Sequence, residues 1–571
     1  MAEANHPEDR VRHLQVQLYL AAKRSPQRRF HALYDRIARR DVLQRAWEQV
    51  RSNRGAAGID GQTIAEVEAY GVGRLLEELR ERLEAHRYRP QPVRRVYIPK
   101  ADGKGRRPLG IPVVKDRVLQ AATRLVLEPL FEASFKTFSY GFRPRRSAHQ
   151  AVDMVRARIE AGYQWVVEVD IQAFFDNVDH ELLLGLVARR VSDRRVLKLI
   201  RQWLKAGVME EGKRGRTEAG VPQGGVISPL LANVYLHALD ALWEAEAANL
   251  GQMVRYCDDL VILCRSEAEA QAAYRWLVDT LKGLKLESHP DKTGVLGVSD
   301  GKRGFDFLGF HFRRTPMVRK SKRLATKTWP SRRAKKSIRA KIKAVTAPRW
   351  KLGLPAEEIV KELNPILRGW GAYFRRFGNG DQMSQIDRYA RLRLALFMTK
   401  KRRRRGISPW QICGDKAWWS RLRLYELSAP LAAGGRAGMH EEQRSSESRM
   451  RENLTSGSMW GRLETRPVGS PEDYAPVTLT GEAPRLARCS RQPPTLPAGA
   501  SPVRVVTREP GSRLPASGGN AWRRSAASKA SWREQPTVRS EWRILPPRQG
   551  NPFGGQAGAE PGVSRRRPRK A

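Results

Sequence analysis

WVVEVDI, residues 165–171, and RYCDDLVIL, residues 255–263, decide the fold. Each is an apolar run of strand length that carries carboxylates at one end. Asp170 closes WVVEV, and Asp258-Asp259 occupies a polar turn between VRY and LVIL, so residues 253–264 read as a hairpin. Burying an unpaired charge is costly, and apolar strands usually shed carboxylates. Acidic groups kept at the ends of two buried strands need a partner, and hard divalent cations prefer oxygen ligands. Two such ions roughly 3.5–4 Å apart stabilise the attacking and leaving oxygens of a phosphoryl transfer. Taken singly, each aspartate reads as a turn or cap residue. The pairing of two such sites carries the argument.

Outward from this pair, strands and helices alternate without the regular βαβ spacing of a doubly wound sheet. Residues 229–249 read as one long helix opened by Ser228-Pro229, where serine can cap and proline suits the first helical position. Residues 267–284 read as a helix and FDFLGFHF (305–312) as a strand. Toward the N-terminus, 147–161 and 115–133 look like amphipathic helices. VRRVYIPK (93–100) looks extended and ADGKGRR (101–107) like a turn. LLEELRERLEAH (75–86) spaces its leucines helically, GAAGIDG (55–61) is a glycine-rich break, and residues 1–54 read as helical and basic. From about 319 to 428 the chain is strongly basic and helical. Beyond about 430, Gly, Pro, Ser, Arg and Thr dominate and apolar periodicity ends. That segment buries too little apolar surface to offset its ordering entropy, so disorder is expected.

Lys plus Arg number 106 against 59 Asp plus Glu, a formal charge of +47 over 571 residues. Such a surplus favours a polyanionic partner, because each cation set on a phosphate releases a condensed counterion. Cys257, Cys264, Cys413 and Cys489 form no CxxC pair, so neither a structural zinc nor a disulfide framework is expected. The opening MAEANHPEDR is polar, and no apolar run reaches the roughly 18 residues of a membrane span. A cytoplasmic location with no membrane contact is the expectation.

EVDIQAFFDNVDH (168–180), GVPQGGVISPLLANVYL (220–236) and RYCDDLVIL, in that order and spacing, resemble the catalytic motifs of reverse transcriptases. IPKADGKGRRPLGIPVVKDRVLQAA (98–122) and YGFRPRRSAHQAV (140–152) resemble group II intron-encoded proteins. So do LNPILRGWGAYFRRF (363–377) and QIDRYARLRL (385–394), which look like the maturase thumb. The resemblance covers roughly residues 30–425. After Cys264 only Cys413 and Cys489 remain, and after His311 only His440, too few for an HNH endonuclease domain. The pattern therefore resembles the endonuclease-lacking bacterial class C proteins.

The resemblance implies an α+β, right-hand polymerase. The expected domains are an N-terminal helical extension at 1–54, fingers and palm at 55–315, an α-helical thumb and maturase domain at 316–428 and, from composition alone, a disordered basic tail at 429–571. The implied activity is RNA-directed DNA polymerisation with two Mg2+ ions per active site. The implied partners are intron RNA in a ribonucleoprotein, primer–template RNA/DNA, dNTPs and target DNA, with roles in splicing and mobility. Two other readings stay open: an RNA-binding splicing factor without significant polymerase activity, and a domesticated reverse transcriptase in antiviral defence.

Residue by residue, the resemblance makes Asp170 and Asp258 ligands of both metals, with the Ile171 carbonyl as a further ligand and Asp259 supporting the primer-end ion. Phe175 falls where the family places a steric gate against a ribose 2′-OH; without the motif it reads equally well as core. Gln223 contacts the nucleotide, and Pro222 and Gly224 the template, where a glycine admits close backbone approach. Lys100, Arg106 and Arg107 flank a turn suited to the incoming triphosphate. The sequence leaves open which arginine points inward, and Arg107 is favoured. Lys292, in HPDKT, sits where the family has a lysine near the leaving pyrophosphate. Tyr256, Leu308 and Gly309 are assigned to template and primer. Two departures from the pattern are Cys257, where alanine is usual, and Gln172, where lysine is common. In the basic C-terminal region Trp329, Trp350, Trp370, Tyr373 and Phe374 stand among cations. Aromatic faces there can stack on unpaired bases, but for most of them the core of a helical bundle is preferred.

Overall fold

The computed structural model describes residues 7–99, 105–316, 324–377, 380–402, 419 and 421–429. Lys100 and the tail from 430 onward lie outside the described residues. Helices α1 (Pro7–Arg24), α2 (Tyr34–Ile37), α3 (Arg40–Ser52), α4 (Ile64–Tyr70) and α5 (Val72–Glu84) lead to strands β1 (Val93–Pro99) and β2 (Arg106–Ile111). Helices α6 (Val114–Glu132) and α7 (Ala148–Glu160) precede β3 (Trp165–Asp170). Next come α8 (Phe174–Asn177), α9 (His180–Ala188), α10 (Arg194–Leu204), β4 (Val208–Glu210), β5 (Lys213–Gly215) and α11 (Ser228–Leu242). The hairpin β6 (Gln252–Tyr256) and β7 (Asp259–Cys264) is followed by α12 (Glu267–Gly283) and β8 (Gly294–Gly297). Strands β9 (Gly304–Phe307), β10 (Phe310–Pro316) and β11 (Leu324–Pro330) lead into α13 (Arg332–Thr346), α14 (Ala356–Phe374) and α15 (Gly380–Arg402). The architecture is α+β.

The sheet that matters for function has the order β6-β7-β3-β8. Successive side chains on a strand point to opposite faces, so each strand feeds two cores. Val167, Val169, Met253, Leu260 and Ile262 enter one hydrophobic cluster, with α6, α11 and α12. Val166, Val254, Tyr256, Val261 and Leu263 enter a second, with α7, β9, β10 and α13–α15. Asp170, Glu168 and Asp259 alternate in step with the second set, so the acids share that face.

Helix α6 buries almost its whole circumference, the pattern of a central helix rather than a surface one. Its polar side chains are bonded accordingly. Asp116 accepts from the Tyr88 hydroxyl at 2.6 Å and the Gln91 backbone N–H at 2.9 Å. Gln120 accepts from the Val226 N–H at 2.8 Å, which ties α6 to the loop before α11. Capping boxes start α4 at Thr63, α7 at Ser147 and α12 at Ser266, each closed by Glu or Gln three residues on.

Three elements differ from the sequence reading. The 305–312 run is two strands, not one: Leu308 and Gly309 take left-handed φ values of 49° and 79°, and β9 folds back onto β10. A two-residue loop with both φ positive matches the right-handed twist of the strands it joins. The long helix is α-helical only to Leu242, then passes through a π turn (Trp243–Ala247) and a 3-10 turn (Ala248–Leu250). Ser228 does not cap it; Ile227 holds that position, and the Ser228 hydroxyl donates to the Pro222 carbonyl at 2.9 Å. The basic region opens with strand β11 rather than helix, because β10 offers it a seven-residue antiparallel partner. No helix among the described residues is long and apolar enough to cross a membrane.

Candidate active site

Strands β3 and β7 run antiparallel in a register that sets Asp170 directly opposite Asp259. Tyr256 pairs with Asp259 across the β6–β7 hairpin, which leaves Cys257 and Asp258 as its two turn residues. Cys257 takes the left-handed φ of 57° that the turn requires. The three carboxylates thus converge at one end of the sheet.

The turn is held from beneath. Arg255 and Asp240 form an ion pair in which both side chains are 0% exposed. Arg255 Nε donates to Asp240 Oδ1 at 2.7 Å, and its Nη1 donates to the Cys257 carbonyl at 3.0 Å and to Asn233 Oδ1 at 3.2 Å. Alongside, the Arg255 N–H donates to the Phe138 carbonyl and the Tyr140 N–H to the Arg255 carbonyl. Gly141 then passes so close that a Cβ there would lie 2.4 Å from the Cys257 nitrogen. Asn233 Nδ2 fixes that approach by donating to the Gly141 carbonyl at 2.8 Å.

Burial raises the proton affinity of Asp258 and Asp259, and the charges of neighbouring carboxylates add to it. Asp259 is pushed up to about 7, by burial first and then by Asp258 and Asp170. By surface area Asp259 is open. Asp258 and Asp170 lie beside it, and repulsion between like charges sets the same direction of shift. Arg107 counters the shift at both residues, and Arg333, in the first turn of α13, counters it at Asp259. Of the two candidate arginines, then, Arg107 is the one whose charge acts on the carboxylates.

Lys292 reaches Asp170 directly, its Nζ 2.6 Å from Oδ2. It is placed by a segment zipped onto the end of β3. The His289 N–H donates to the Asp170 carbonyl at 2.7 Å, and the Gln172 N–H to the Glu287 carbonyl at 2.8 Å. These bonds flank an Ile171–Ser288 bridge of the type in which the paired residues' own carbonyls point away from each other. The Ile171 carbonyl therefore faces away from this segment. Among the described residues, no group of three or more His, Cys, Asp or Glu is arranged as a ready-made metal cage. The donor set is nonetheless all oxygen, mutually repelling and opposed by cations, and a hard divalent ion fits it chemically.

The loop before α11 docks beside this cluster. The Val221 N–H donates to the Phe175 carbonyl at 2.7 Å, and the Gly110 N–H to the Gln223 carbonyl at 2.8 Å. Gly224 sits at φ +126°, and a Cβ there would meet the Gly110 carbonyl oxygen at 2.4 Å, so this position has room only for glycine. Pro222, Gln223 and Phe175 are half-buried, Phe175 edge-on to the buried Phe174. Arg106 is exposed at the start of β2, opposite Pro99.

Tyr256 is buried at the end of β6 on the second-core face. Leu308 and Gly309 form the β9–β10 tip. The Tyr373 hydroxyl donates to the Leu308 carbonyl at 3.0 Å and the Ser331 N–H to the Gly309 carbonyl at 2.9 Å, which joins the tip to α13 and α14. Trp370, Tyr373 and Phe374 are core, as preferred. Sequence reasoning missed Asp240, Gly141 and Arg333 as supports of the site. Arg255 lay within a quoted motif but carried no sign of its role.

Residues 98–312 match the family model described as reverse transcriptase (RNA-dependent DNA polymerase), and residues 335–414 match the group II intron maturase-specific domain. Protein YkfC of Escherichia coli K12 is 33% identical over 387 residues, covering 61% of this chain and 98% of that protein. The group II intron-encoded protein LtrA of Lactococcus lactis subsp. cremoris is 41% identical over 213 residues, covering 37% of this chain. That match spans 35% of the length of LtrA. Nuclear intron maturase 1, mitochondrial, of Arabidopsis thaliana is 30% identical over 187 residues, 24% of this chain and 26% of that one. With the two domain matches in order and a relative covered almost end to end, this chain belongs to the group II intron reverse transcriptase/maturase family.

Proposed function

We propose that the protein copies intron RNA into DNA and assists intron splicing and mobility. The observation that carries this reading is the in-register pairing of Asp170 with Asp259, with Asp258 at the adjoining turn. In this reading residues 1–54 are a helical extension, 55–315 form the fingers and palm, 316–428 the thumb and maturase domain, and 429–571 a low-complexity tail. The working location is the cytoplasm.

Asp170, Asp258 and the Ile171 carbonyl would hold two Mg2+ ions, with Asp259 supporting the one at the primer end. When bound, such ions neutralise charge developing on the attacking and leaving oxygens. The chain's own residues position the reactants. Arg107, with Arg106 and Lys100, takes the triphosphate. Lys292 is 60% exposed and flexible enough to leave Asp170 for the departing pyrophosphate. Phe175, tethered through its carbonyl to Val221, offers a ring edge that excludes a 2′-OH. Gln223 and Gly224 let the new base pair approach the backbone. Tyr256, Pro222, Leu308 and Gly309 border the path of template and primer. Catalysis is then positioning plus charge stabilisation.

The test is primer extension on an RNA template with Mg2+, natural chain against Asp258→Ala. cDNA from the first and none from the second is expected. If neither extends while intron RNA is still bound and spliced, the polymerase reading is lost and the splicing reading stands alone.

A further inference from the structure

Among the described residues, most aromatic side chains of the basic C-terminal region are buried in the core or packed against it, but Trp350 is 75% exposed. An indole left in water forgoes a large burial gain. The turn that displays it is not slack. Trp350 lies in a 3-10 turn, Arg349–Gly353, entered through Pro348 and left through Pro355 on the way to α14. Lys351 is buried at 8%, pairs with Glu362, and sets its Nζ 5.2 Å from the Trp350 ring centroid. Lys401, from α15, donates to the Leu354 carbonyl at 2.6 Å and to the Gly353 carbonyl at 3.4 Å. Leu352 and Leu354 pack on the second core cluster. The backbone is fixed, and the indole is held out from it.

Arg349 immediately precedes the ring and is exposed at the start of the turn, and Lys343 is exposed in the last turn of α13. The acids nearest in sequence are Glu357 and Glu358, and Glu358 is paired with Lys361. A protein partner would call for a wider apolar patch, and a membrane for several apolar anchors. A rigid aromatic side chain with Lys351 against it and exposed Arg349 next to it in sequence suits a base flanked by phosphates, because every base has a π-face and stacking tolerates sequence.

We propose that Trp350 is a stacking platform for an unpaired RNA base, with Arg349 and Lys343 receiving the adjoining phosphates. This inference rests on the RNA-binding reading above and adds to it a site and a ligand class: single-stranded loops or bulges, not duplex. The test uses the full chain and fluorescence anisotropy with two labelled RNAs, a hairpin with a long unpaired loop and a fully paired duplex of equal length. Trp350→Ala is expected to weaken loop binding roughly 5- to 150-fold, the range for losing one stacked base, and to leave duplex binding within about twofold. Trp350→Phe should retain most of the affinity. Trp350→Leu, apolar without a π-face, should lose it as alanine does. Equal losses on loop and duplex, or full affinity in Trp350→Leu, overturn the stacking assignment. So does a Trp350→Ala chain that binds the loop like the natural one but no longer sediments with anionic lipid vesicles. If the natural chain binds neither RNA, the RNA reading itself falls; if it binds and Trp350→Ala matches it, only this inference does.

Discussion

Asp240→Ala removes one half of the fully buried ion pair under the Cys257-Asp258 turn. Breaking such a pair from one side leaves an uncompensated charge and costs roughly 3–5 kcal/mol. Arg255 would keep two neutral acceptors, Asn233 Oδ1 at 3.2 Å and the Cys257 carbonyl at 3.0 Å, which places the cost near the lower end, about 3 kcal/mol. The companion variant replaces both partners, Arg255→Met with Asp240→Leu. No charge is then stranded, and stability should return to within about 1 kcal/mol of the natural chain. The Cys257 carbonyl has still lost its donor, so primer extension should stay at least about tenfold down, the usual penalty for loosening a positioned group. Equilibrium urea unfolding reads the first quantity, and extension well below the unfolding midpoint reads the second. A loss under about 1 kcal/mol in Asp240→Ala, or full extension in the double variant, would refute the role given to this pair.

Gly141→Ala drives a methyl into the Tyr256–Cys257 peptide, 2.4 Å from the Cys257 nitrogen, and should lower stability by about 1–3 kcal/mol and extension more steeply. Asp258→Asn removes a like charge from the carboxylate cluster: the metal-free chain should melt higher than the natural one, and added Mg2+ should stabilise the natural chain more. Equal Mg2+ shifts in both would count against a metal role for Asp258. Asp387 accepts from the Leu427 N–H at 2.9 Å, the Ser428 N–H at 2.8 Å and the Ser428 hydroxyl at 2.7 Å, so Asp387→Ala should expose residues 421–429 to limited proteolysis. Glu168 is pushed up to about 7, chiefly by burial, against a hydrogen bond from the Asp306 backbone, with the charge of Asp306 adding and His311 opposing. A carboxyl whose folded pKa is raised contributes stability present below its unfolded value and lost as pH rises through the folded one. Between about pH 5.5 and 8 the natural chain should therefore lose on the order of 2 kcal/mol more than Glu168→Gln, read as a difference in urea midpoints.

The central sheet was legible because two signals coincide there. WVVEVD and LVILC are apolar enough to be strands, and the acids at their ends are conspicuous only against that background. Helix starts at Ser147 and Ser266 carry their capping partners in the sequence. The 305–312 run misled because Leu308 is a poor turn former, and only Gly309 beside it hinted at the reversal. Strand β11 was hidden in a run of cations, where long-range pairing with β10 overrode local composition. Site supports were hidden for the same reason. Asp240 lies 15 residues from Arg255 on a separate helix, and Gly141 meets Cys257 across more than a hundred positions. Nothing local marks either one.

Three like charges do not gather unaided, so the surrounding fold must hold the backbone that carries them. Arg255 and Asp240 grip the turn from below, residues 138–141 press on its flank, and residues 287–293 close along Ile171. Arg107, Arg333 and Lys292 lower the electrostatic cost from the open side. Many residues of the recognisable motifs serve this holding role rather than the reaction: Gly141 in YGFRP, Gln120 in VLQAA, Arg255 in RYCDD. The two classes separate by the direction of their effects. Loss of a carboxylate removes chemistry while relieving repulsion, whereas loss of a holding residue removes stability and chemistry together, because the same bonds that stabilise the chain also aim the aspartates.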